Sequence, residues 1–211
     1  MKDSTHRRSE PEAAGYIAEY MVAFERTESF GLKAPPRLLV SKPCVDVNKT
    51  LPVLLDYFDE HTNAELLGQT LAIHLALIPR LYEVTGVPFE LTVGWIEIAG
   101  RPKWQHDEDT IRRFMTDKLS AWQREGVPFQ IWLTSPACEI LDVTFGMNNG
   151  WAKTREECAR LIIYKTPNQL TNEPIYHPTV VGEDFLLQTG VLVEIPRPLA
   201  INSRIPGQSS S

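Results

Sequence analysis

The longest apolar stretch of the chain covers residues 62–84 and reads TNAELLGQTLAIHLALIPRLYEV. Its apolar side chains would leave no wide polar face on a helix with 3.6 residues per turn. Thr62 and Glu65 have the spacing of a capping box, and the Gly86-Val87-Pro88 turn supplies a stop. The pattern predicts a central, mostly buried helix, and we expect any chemistry to lie near the point where it begins.

A strand, a helix and a hairpin are predicted after this helix. Residues 88–100, PFELTVGWIEIAG, mix alternating and continuous apolar positions, which is typical of an interior strand covered on both faces. Residues 106–126 begin with acidic side chains and predict a helix. Residues 127–134 and 138–145 are separated by a short Ser-Pro-Ala link, which predicts an antiparallel hairpin.

The other apolar patterns are shorter. A Pro-rich, polar surface loop is expected at residues 167–178, with a short strand in HPTVV ahead of the last helix. Further helices are predicted at residues 14–24, 50–58, 154–160 and 183–189, and further strands at residues 37–42, 161–164 and 191–195.

Together these elements predict an α+β fold in which the central buried helix packs on an antiparallel sheet. A chain of 211 residues favours one sizeable domain, which we place at residues 11–195. The polar residues 1–10 and the non-periodic residues 196–211 are expected to be flexible tails.

Composition argues against several classes of partner. The net charge is -6 and no run of Lys and Arg occurs, which argues against nucleic acid. His74, Pro79 and Arg80 interrupt the apolar stretch before it reaches bilayer-spanning length, and no signal-peptide pattern is visible, so we expect no membrane association. The three scattered cysteines fit neither a disulfide scaffold nor a zinc site, which indicates a reducing cytoplasm.

Three short motifs lie on these predicted elements: LTVGW at residues 91–95, QIWL at residues 130–133 and ILDVT at residues 140–144. The order of elements resembles the core of the transglutaminase-like branch of the papain-like superfamily. That core has a buried helix, a Gly-x-Pro turn, a strand ending in Gly-Trp, and a hairpin with one strand carrying Trp and the other carrying Asp-x-Thr. The resemblance implies a papain-like core at about residues 62–145, and the later HPTVVGEDFL is similar to bacterial proteins of this layout.

The resemblance also implies positions for a catalytic triad. The family uses a Cys at the start of the buried helix, a His on the first hairpin strand and an Asp on the second. Matched by position, these fall on Thr70 or Leu71, on Gln130 and on Asp142. Gln130 cannot take a proton, and Thr70 has no adjacent base. The roles of general base and nucleophile are therefore vacant.

Each of these residues also has a structural interpretation. A buried Asp142 needs hydrogen-bond donors whether or not it belongs to a site. Gln130 fits simple pairing across the hairpin, and Thr70 fits a bond back to its own helix.

Other residues offer an alternative chemistry. His74 lies one turn after Thr70 and is an alternative base, although a lone His on an apolar helix is more often a core residue. Cys138, at the hairpin turn, is an alternative nucleophile, but the neighbouring Glu139 would raise its pKa. Cys44 is a further candidate thiol, and both it and the third cysteine are read more simply as packing residues.

A metal site is not expected. His106, Asp107 and Asp109 have ligand side chains, but the same cluster makes an ordinary acidic helix start. His177 precedes a proline in a predicted loop that could fold over the site, with no second ligand nearby. We therefore expect neither a metal nor a cofactor.

Aromatic residues fall at the ends of the predicted strands and in the loops after them. The hairpin brings Trp132 into the same sheet as Trp95, and most of Trp95, Trp104, Trp132 and Trp151 fit core or rim packing. We predict that a subset, Trp95 and Trp132, lines a cleft beside Gln130 and binds a ligand. Apolar walls beside Gln130 would make a binding pocket of the usual kind.

Three hypotheses follow. The first is a degenerate, non-catalytic relative that binds a peptide, a small molecule or another protein through the former active-site cleft. The second is an active amide or ester hydrolase, or acyltransferase, with a Thr or Cys nucleophile. The third is an interaction module whose short motifs match by chance.

Overall fold

The computed structural model describes residues 10–68, 70–117, 128–170 and 172–192, and only the backbone of residues 10–14, 68 and 70. The helices are α1 Glu10–Ser29, α2 Val47–Asp59, α3 Asn63–Gly68, α4 Thr70–Thr85, α5 Glu108–Thr116, α6 Phe145–Asn148, α7 Arg155–Arg160 and α8 Asp184–Gln188, with a 3-10 helix at Pro167–Gln169. The strands are β1 Glu90–Ile98, β2 Arg101–Lys103, β3 Gln130–Thr134, β4 Ile140–Asp142, β5 Ile163–Lys165 and β6 Ile175–Val181.

β1 is the central strand of a six-stranded antiparallel sheet. It pairs with β6 over most of its length, and on its other edge with β3 near its start and with β2 near its end. β4 and β5 continue the sheet beyond β3. The predicted α+β class, the antiparallel sheet, the interior position of residues 88–100 and the hairpin are confirmed.

The sheet separates two apolar cores. Leu91 and Val93 of β1 point to one face and pack with side chains from α2, α4, α5 and α8. Ile96, Trp132 and Tyr176 belong to the opposite face, which α1 covers. Both faces of the central strands are therefore buried, as their near-continuous apolar sequence requires.

A glycine permits the closest approach within the sheet. The β1–β6 register shifts between Val93 and Gly94. A Cβ atom at Gly94 would lie 2.1 Å from the backbone oxygen of His177 and 2.7 Å from the Trp132 ring. The glycine of LTVGW is needed because no side chain fits there.

Helix α1 joins the start of the chain to β6. Tyr16, Tyr20 and Phe24 are buried against the sheet. The Arg26 guanidinium donates to the backbone oxygen of Thr179 at 2.9 Å. The predicted helix at residues 14–24 is confirmed, and it docks by one face.

The predicted central helix is helical on both sides of residue 69, in α3 and α4, and residue 69 itself lies outside the description. The capping box is confirmed, because the Thr62 amide donates to Glu65 Oε2 at 2.8 Å and the Glu65 amide donates to Thr62 Oγ1 at 3.4 Å. Ile73, Leu77 and Leu81 are buried and make α4 central to one core. The expectation that the segment is mostly buried was too broad, since Leu67, Tyr82 and Val84 are exposed.

Most of the shorter predictions agree with the structure. Helices α2, α7 and α8 and strand β5 lie where the patterns placed them. The strand predicted at residues 37–42 is wrong, because this segment has no strand and exposes three apolar side chains in a row, those of Leu38, Leu39 and Val40. The loop predicted at residues 167–178 is also partly wrong, since it holds a 3-10 helix and the start of β6.

Some predictions fall on residues outside the description. The first tail lies outside it except for residue 10, and the second tail lies outside it entirely. The continuation of α5 through residues 118–126 and the last three residues of the strand predicted at residues 191–195 also lie outside it. Residues 191 and 192, which are described, form no strand. Among the described helices, none has the length and apolar character needed to cross a membrane.

Candidate functional site

Asp142 ends β4 with its side chain fully buried. Its Oδ2 atom accepts hydrogen bonds from Gln130 Nε2 at 2.6 Å and from the Tyr176 hydroxyl at 2.9 Å. Its Oδ1 atom accepts from the Thr144 amide at 2.9 Å. The carboxylate therefore receives the donors that burial of a charge demands.

Gln130 opens β3 and is also fully buried. Its Oε1 atom accepts from Asn148 Nδ2 at 3.2 Å, and the same amide lies 3.2 Å from Thr144 Oγ1. We call Gln130, Asp142, Thr144, Asn148 and Tyr176 the Asp142 network. Each polar side chain in the network forms a hydrogen bond with another member.

Helix α4 brings an imidazole to this network. His74 is fully buried, and its Nε2 atom lies 4.0 Å from Asp142 Oδ1. Thr70 begins α4, one turn before His74, and its side chain lies outside the description. His74 of α4 therefore lies against the hairpin that carries Gln130 and Asp142.

Burial dominates the electrostatics of the Asp142 network. It raises the pKa of Asp142 from 3.8 to about 6, although the bonds from Thr144, Tyr176 and Gln130 oppose the shift. The pKa of the Tyr176 hydroxyl is raised by burial first and by the neighbouring carboxylate second. Burial therefore favours a neutral Tyr176 hydroxyl, which donates to Asp142.

The two tryptophans predicted as binding residues lie in different surroundings. Trp132 is fully buried, and its Nε1 atom donates to the Tyr16 hydroxyl at 3.0 Å. It presents no surface to a ligand. Trp95 is partly exposed and stacks on the His177 ring with 3.8 Å between ring centroids. Neither Trp132 nor Gln130 exposes any surface, so these two side chains do not wall the cleft predicted beside Gln130.

An open groove of about 370 Å³ lies beside Trp95, between α1, α5 and β6. We call it the Trp95 groove, and its polar side chains are those of Glu19, Arg26, His106, Glu108, His177 and Thr179. His177 belongs to β6, not to the predicted loop. The residues from α1 were missed because they lie more than 150 positions from β6 in sequence and carry no motif.

The thiols lie in unfavourable surroundings for nucleophiles. Cys138 is buried rather than exposed at the turn, and burial, followed by Cys44 and Glu139, raises its pKa to about 11. The Cys44 thiol donates to Glu139 Oε2 at 3.3 Å. That buried carboxylate also accepts from the Ser135 and Tyr164 hydroxyls, so it ties three segments together. Burial also raises the pKa of the third thiol, Cys158.

The acidic cluster before α5 is a helix start. Asp107 is the N-cap and accepts from the Thr110 amide at 2.8 Å. His106 Nε2 lies 2.8 Å from the backbone oxygen of Pro128. Within the described ranges, no three His, Cys, Asp or Glu side chains are placed to hold a metal ion.

Comparison of the chain with protein-family models, with curated proteins and with solved structures found no match. Function is therefore inferred from two groups of side chains. One is the Asp142 network with His74, and the other is the Trp95 groove.

Proposed function

We propose that the protein is a non-catalytic relative of the transglutaminase-like enzymes that binds a peptide, a small molecule or another protein. The supporting observation is the 2.6 Å bond from Gln130 Nε2 to Asp142 Oδ2. A glutamine occupies the position of the proton acceptor and is itself a donor to the carboxylate. Because both side chains are fully buried, this pair stabilises the fold instead of meeting a substrate.

The binding site in this proposal is the Trp95 groove. Its volume lies within the range of small-ligand sites, and it combines an indole wall with a few polar side chains. The proposed ligand therefore lies beside Trp95 and not beside Gln130, which pairs with Gly94, the residue before Trp95. Trp95 keeps its predicted binding role, whereas Trp132 supports the sheet from within.

Turnover experiments test the non-catalytic part. Purified protein is incubated with p-nitrophenyl esters and with a glutamine-containing peptide plus a primary amine, and Asp142→Asn is assayed beside it. We expect no turnover above the background of buffer in either sample. Turnover that disappears in Asp142→Asn, with the fold intact by circular dichroism, would disprove the proposal.

A fragment titration followed by NMR tests the binding part. Small aromatic and aliphatic fragments are added to ¹⁵N-labelled protein, and the indole N–H signals are assigned with Trp95→Phe. We expect binding fragments to shift the Trp95 signal and to leave the Trp132 signal in place. Fragments that bind only elsewhere would remove the groove from the proposal.

One observation favours a second candidate, an amide or ester hydrolase. The His74 imidazole lies 4.0 Å from the Asp142 carboxylate, and His74 follows Thr70 by one helical turn. In this version Thr70 is the nucleophile, His74 the base and Asp142 the group that orients the imidazole. It predicts that Thr70→Ala and His74→Gln each abolish hydrolysis of the same substrates. If the wild-type protein hydrolyses none of them, this candidate is lost.

A further inference from the structure

The carboxylates of the Trp95 groove already have partners. Glu19 Oε2 lies 2.9 Å from His177 Nδ1, a contact in which the ring nitrogen must donate to the carboxylate. Glu108 Oε1 accepts from the Arg112 guanidinium at 2.9 Å. Each acidic side chain of the groove therefore has a hydrogen-bond donor: Glu108 is in an ion pair with Arg112, and the Glu19 contact is an ion pair only when His177 is protonated.

Arg26 is different. Its NH1 group donates to the backbone oxygen of Thr179 at 2.9 Å, which fixes the guanidinium but does not balance its charge. Among the residues that the structure describes, no carboxylate lies within ion-pair distance of Arg26. The side chain is half-buried and retains further N–H groups for a second acceptor.

The rest of the groove is suited to a flat apolar group. The Trp95 indole stacks on the His177 ring with an angle of 10° between their planes, and Val22, Ile111 and Pro178 also line the groove. A groove lined by a guanidinium and by aromatic and aliphatic side chains is complementary to a molecule with an anionic head and an apolar body.

We propose that the Trp95 groove binds a small organic carboxylate, with the carboxylate on Arg26 and the apolar body against the Trp95 wall. The proposal rests on the proposed function, because it names the ligand class of the same groove. Arg26 is its specificity-determining residue. A planar guanidinium pairs with a carboxylate through two parallel hydrogen bonds, which neither a neutral amide nor an amine reproduces.

Three probes with the same indole body separate charge from shape: indole-3-acetate, indole-3-acetamide and tryptamine. Each is titrated into ¹⁵N-labelled protein at low salt, and affinity is read from the Trp95 indole signal. We expect indole-3-acetate to bind about tenfold or more tightly than the other two, since only its carboxylate can form a charge-assisted pair with Arg26. We expect the preference to weaken as salt is raised.

Variants of two arginines give the control. Arg26→Gln should remove the preference, so that indole-3-acetate binds no more tightly than indole-3-acetamide, and Arg26→Lys should keep part of it. Arg113→Gln, on the exposed side of α5, should bind all three probes as the wild type does. The ¹⁵N spectrum of each variant shows whether it is folded.

The outcomes separate this inference from the proposed function. Equal binding of the three probes, or a preference that survives Arg26→Gln, would overturn the carboxylate site while leaving a binding protein. No shift of Trp95 with any probe would also overturn the carboxylate site. Turnover lost in Asp142→Asn would refute the non-catalytic function and leave a measured carboxylate preference standing.

Discussion

Gln130 and Asp142 face each other across the hairpin of β3 and β4, with 2.6 Å between the amide nitrogen and the carboxylate oxygen, and neither side chain has any exposed surface. Under the relationship proposed above, an imidazole would occupy the place of this amide in an active transglutaminase-like enzyme. Here the pair holds a negative charge inside the protein. The cost of that charge has consequences that can be measured.

The first prediction concerns pH. The folded pKa of Asp142, about 6, is above its ordinary value of 3.8, so the group contributes stability that is fully present below pH 3.8 and is lost as pH rises through 6. We expect the free energy of unfolding of the wild type, relative to Asp142→Asn, to fall by about 2 kcal/mol between pH 4 and pH 7. Urea unfolding of both proteins across this range measures the difference.

Asp142→Asn does not titrate at this position, so the shared pH dependence of all other groups cancels in the comparison. Parallel stability curves for the two proteins would contradict the raised pKa of Asp142. A difference that grows in the opposite direction would mean that hydrogen bonds outweigh burial at the carboxylate.

The second prediction concerns Gln130. Gln130→Leu preserves side-chain size but removes a donor from Asp142 and the acceptor for Asn148. We expect it to lower the free energy of unfolding by about 2 kcal/mol at pH 7, and to lower it less at pH 4.5, where Asp142 is largely protonated. Urea unfolding at the two pH values provides the test.

A matched control is Gln188→Leu, because Gln188 is exposed at the end of α8. We expect that variant to change the free energy of unfolding by less than about 0.5 kcal/mol. If Gln130→Leu is equally mild, the amide is not a structural partner of Asp142 and the proposal of a stabilising pair is weakened.

The third prediction concerns Gly94. A methyl group there would meet the His177 backbone oxygen, and a backbone oxygen cannot rotate away as a side chain can. We expect Gly94→Ala to cost about 2–3 kcal/mol and to shift the amide signals of β6 and the indole signal of Trp95. Thermal unfolding and a ¹⁵N spectrum measure the two effects.

Gly15→Ala is the control for this change, since a Cβ atom at Gly15 has no heavy atom within 4 Å outside its own helix and chain neighbours. Within α1 an alanine should be neutral or stabilise by up to about 1 kcal/mol. A Gly94→Ala protein as stable as the Gly15→Ala protein would show that β6 can move away from β1 at little cost.

The fourth prediction concerns the thiols. Cys44 is partly exposed, whereas Cys138 and Cys158 are each 2% exposed. In the native protein we expect an aromatic disulfide reagent to modify Cys44 first and the other two about tenfold or more slowly, because they need local opening. Mass spectrometry of digests taken over time gives the order of modification.

The rate at Cys44 should increase as pH rises above neutrality, because burial and Glu139 raise the pKa of its thiol and only the thiolate reacts. Cys44→Ser leaves Cys138 and Cys158 for a separate measurement. Rapid modification of Cys138 at pH 7 in that variant would favour the alternative in which this cysteine is a nucleophile.

The fold was predictable where side-chain pattern and local turns determine structure. The runs that became α1, β1 and the β3–β4 hairpin carry their periodicity in sequence, and the hairpin register brought Gln130 and Asp142 together. β2 was missed because Arg101–Lys103 is short and largely exposed, so no apolar pattern marks it. The two-residue turn before it uses Ala99 with φ 53° in place of the usual Asn or Asp.

The site was predictable only in part, for a related reason. His74 was found because it follows Thr70 by one helical turn, which is a local relationship. Tyr176 and Arg26 were not found, since their roles depend on β6 lying between β1 and α1. Residues 38–40 gave a false prediction of a strand. A β-prone run forms a strand only where the edge of another strand is available to pair with it.

The packing of α1 on β6 has a consequence for how the protein is made. Arg26 and Thr179, which bond across this contact, are 153 residues apart. A ribosome releases α1 long before β6 emerges, so Tyr16, Tyr20 and Phe24 of the nascent chain lack the β6 surface that covers them until that strand has been made. This face of the sheet therefore folds only after β6 has been synthesised, 153 residues after Arg26.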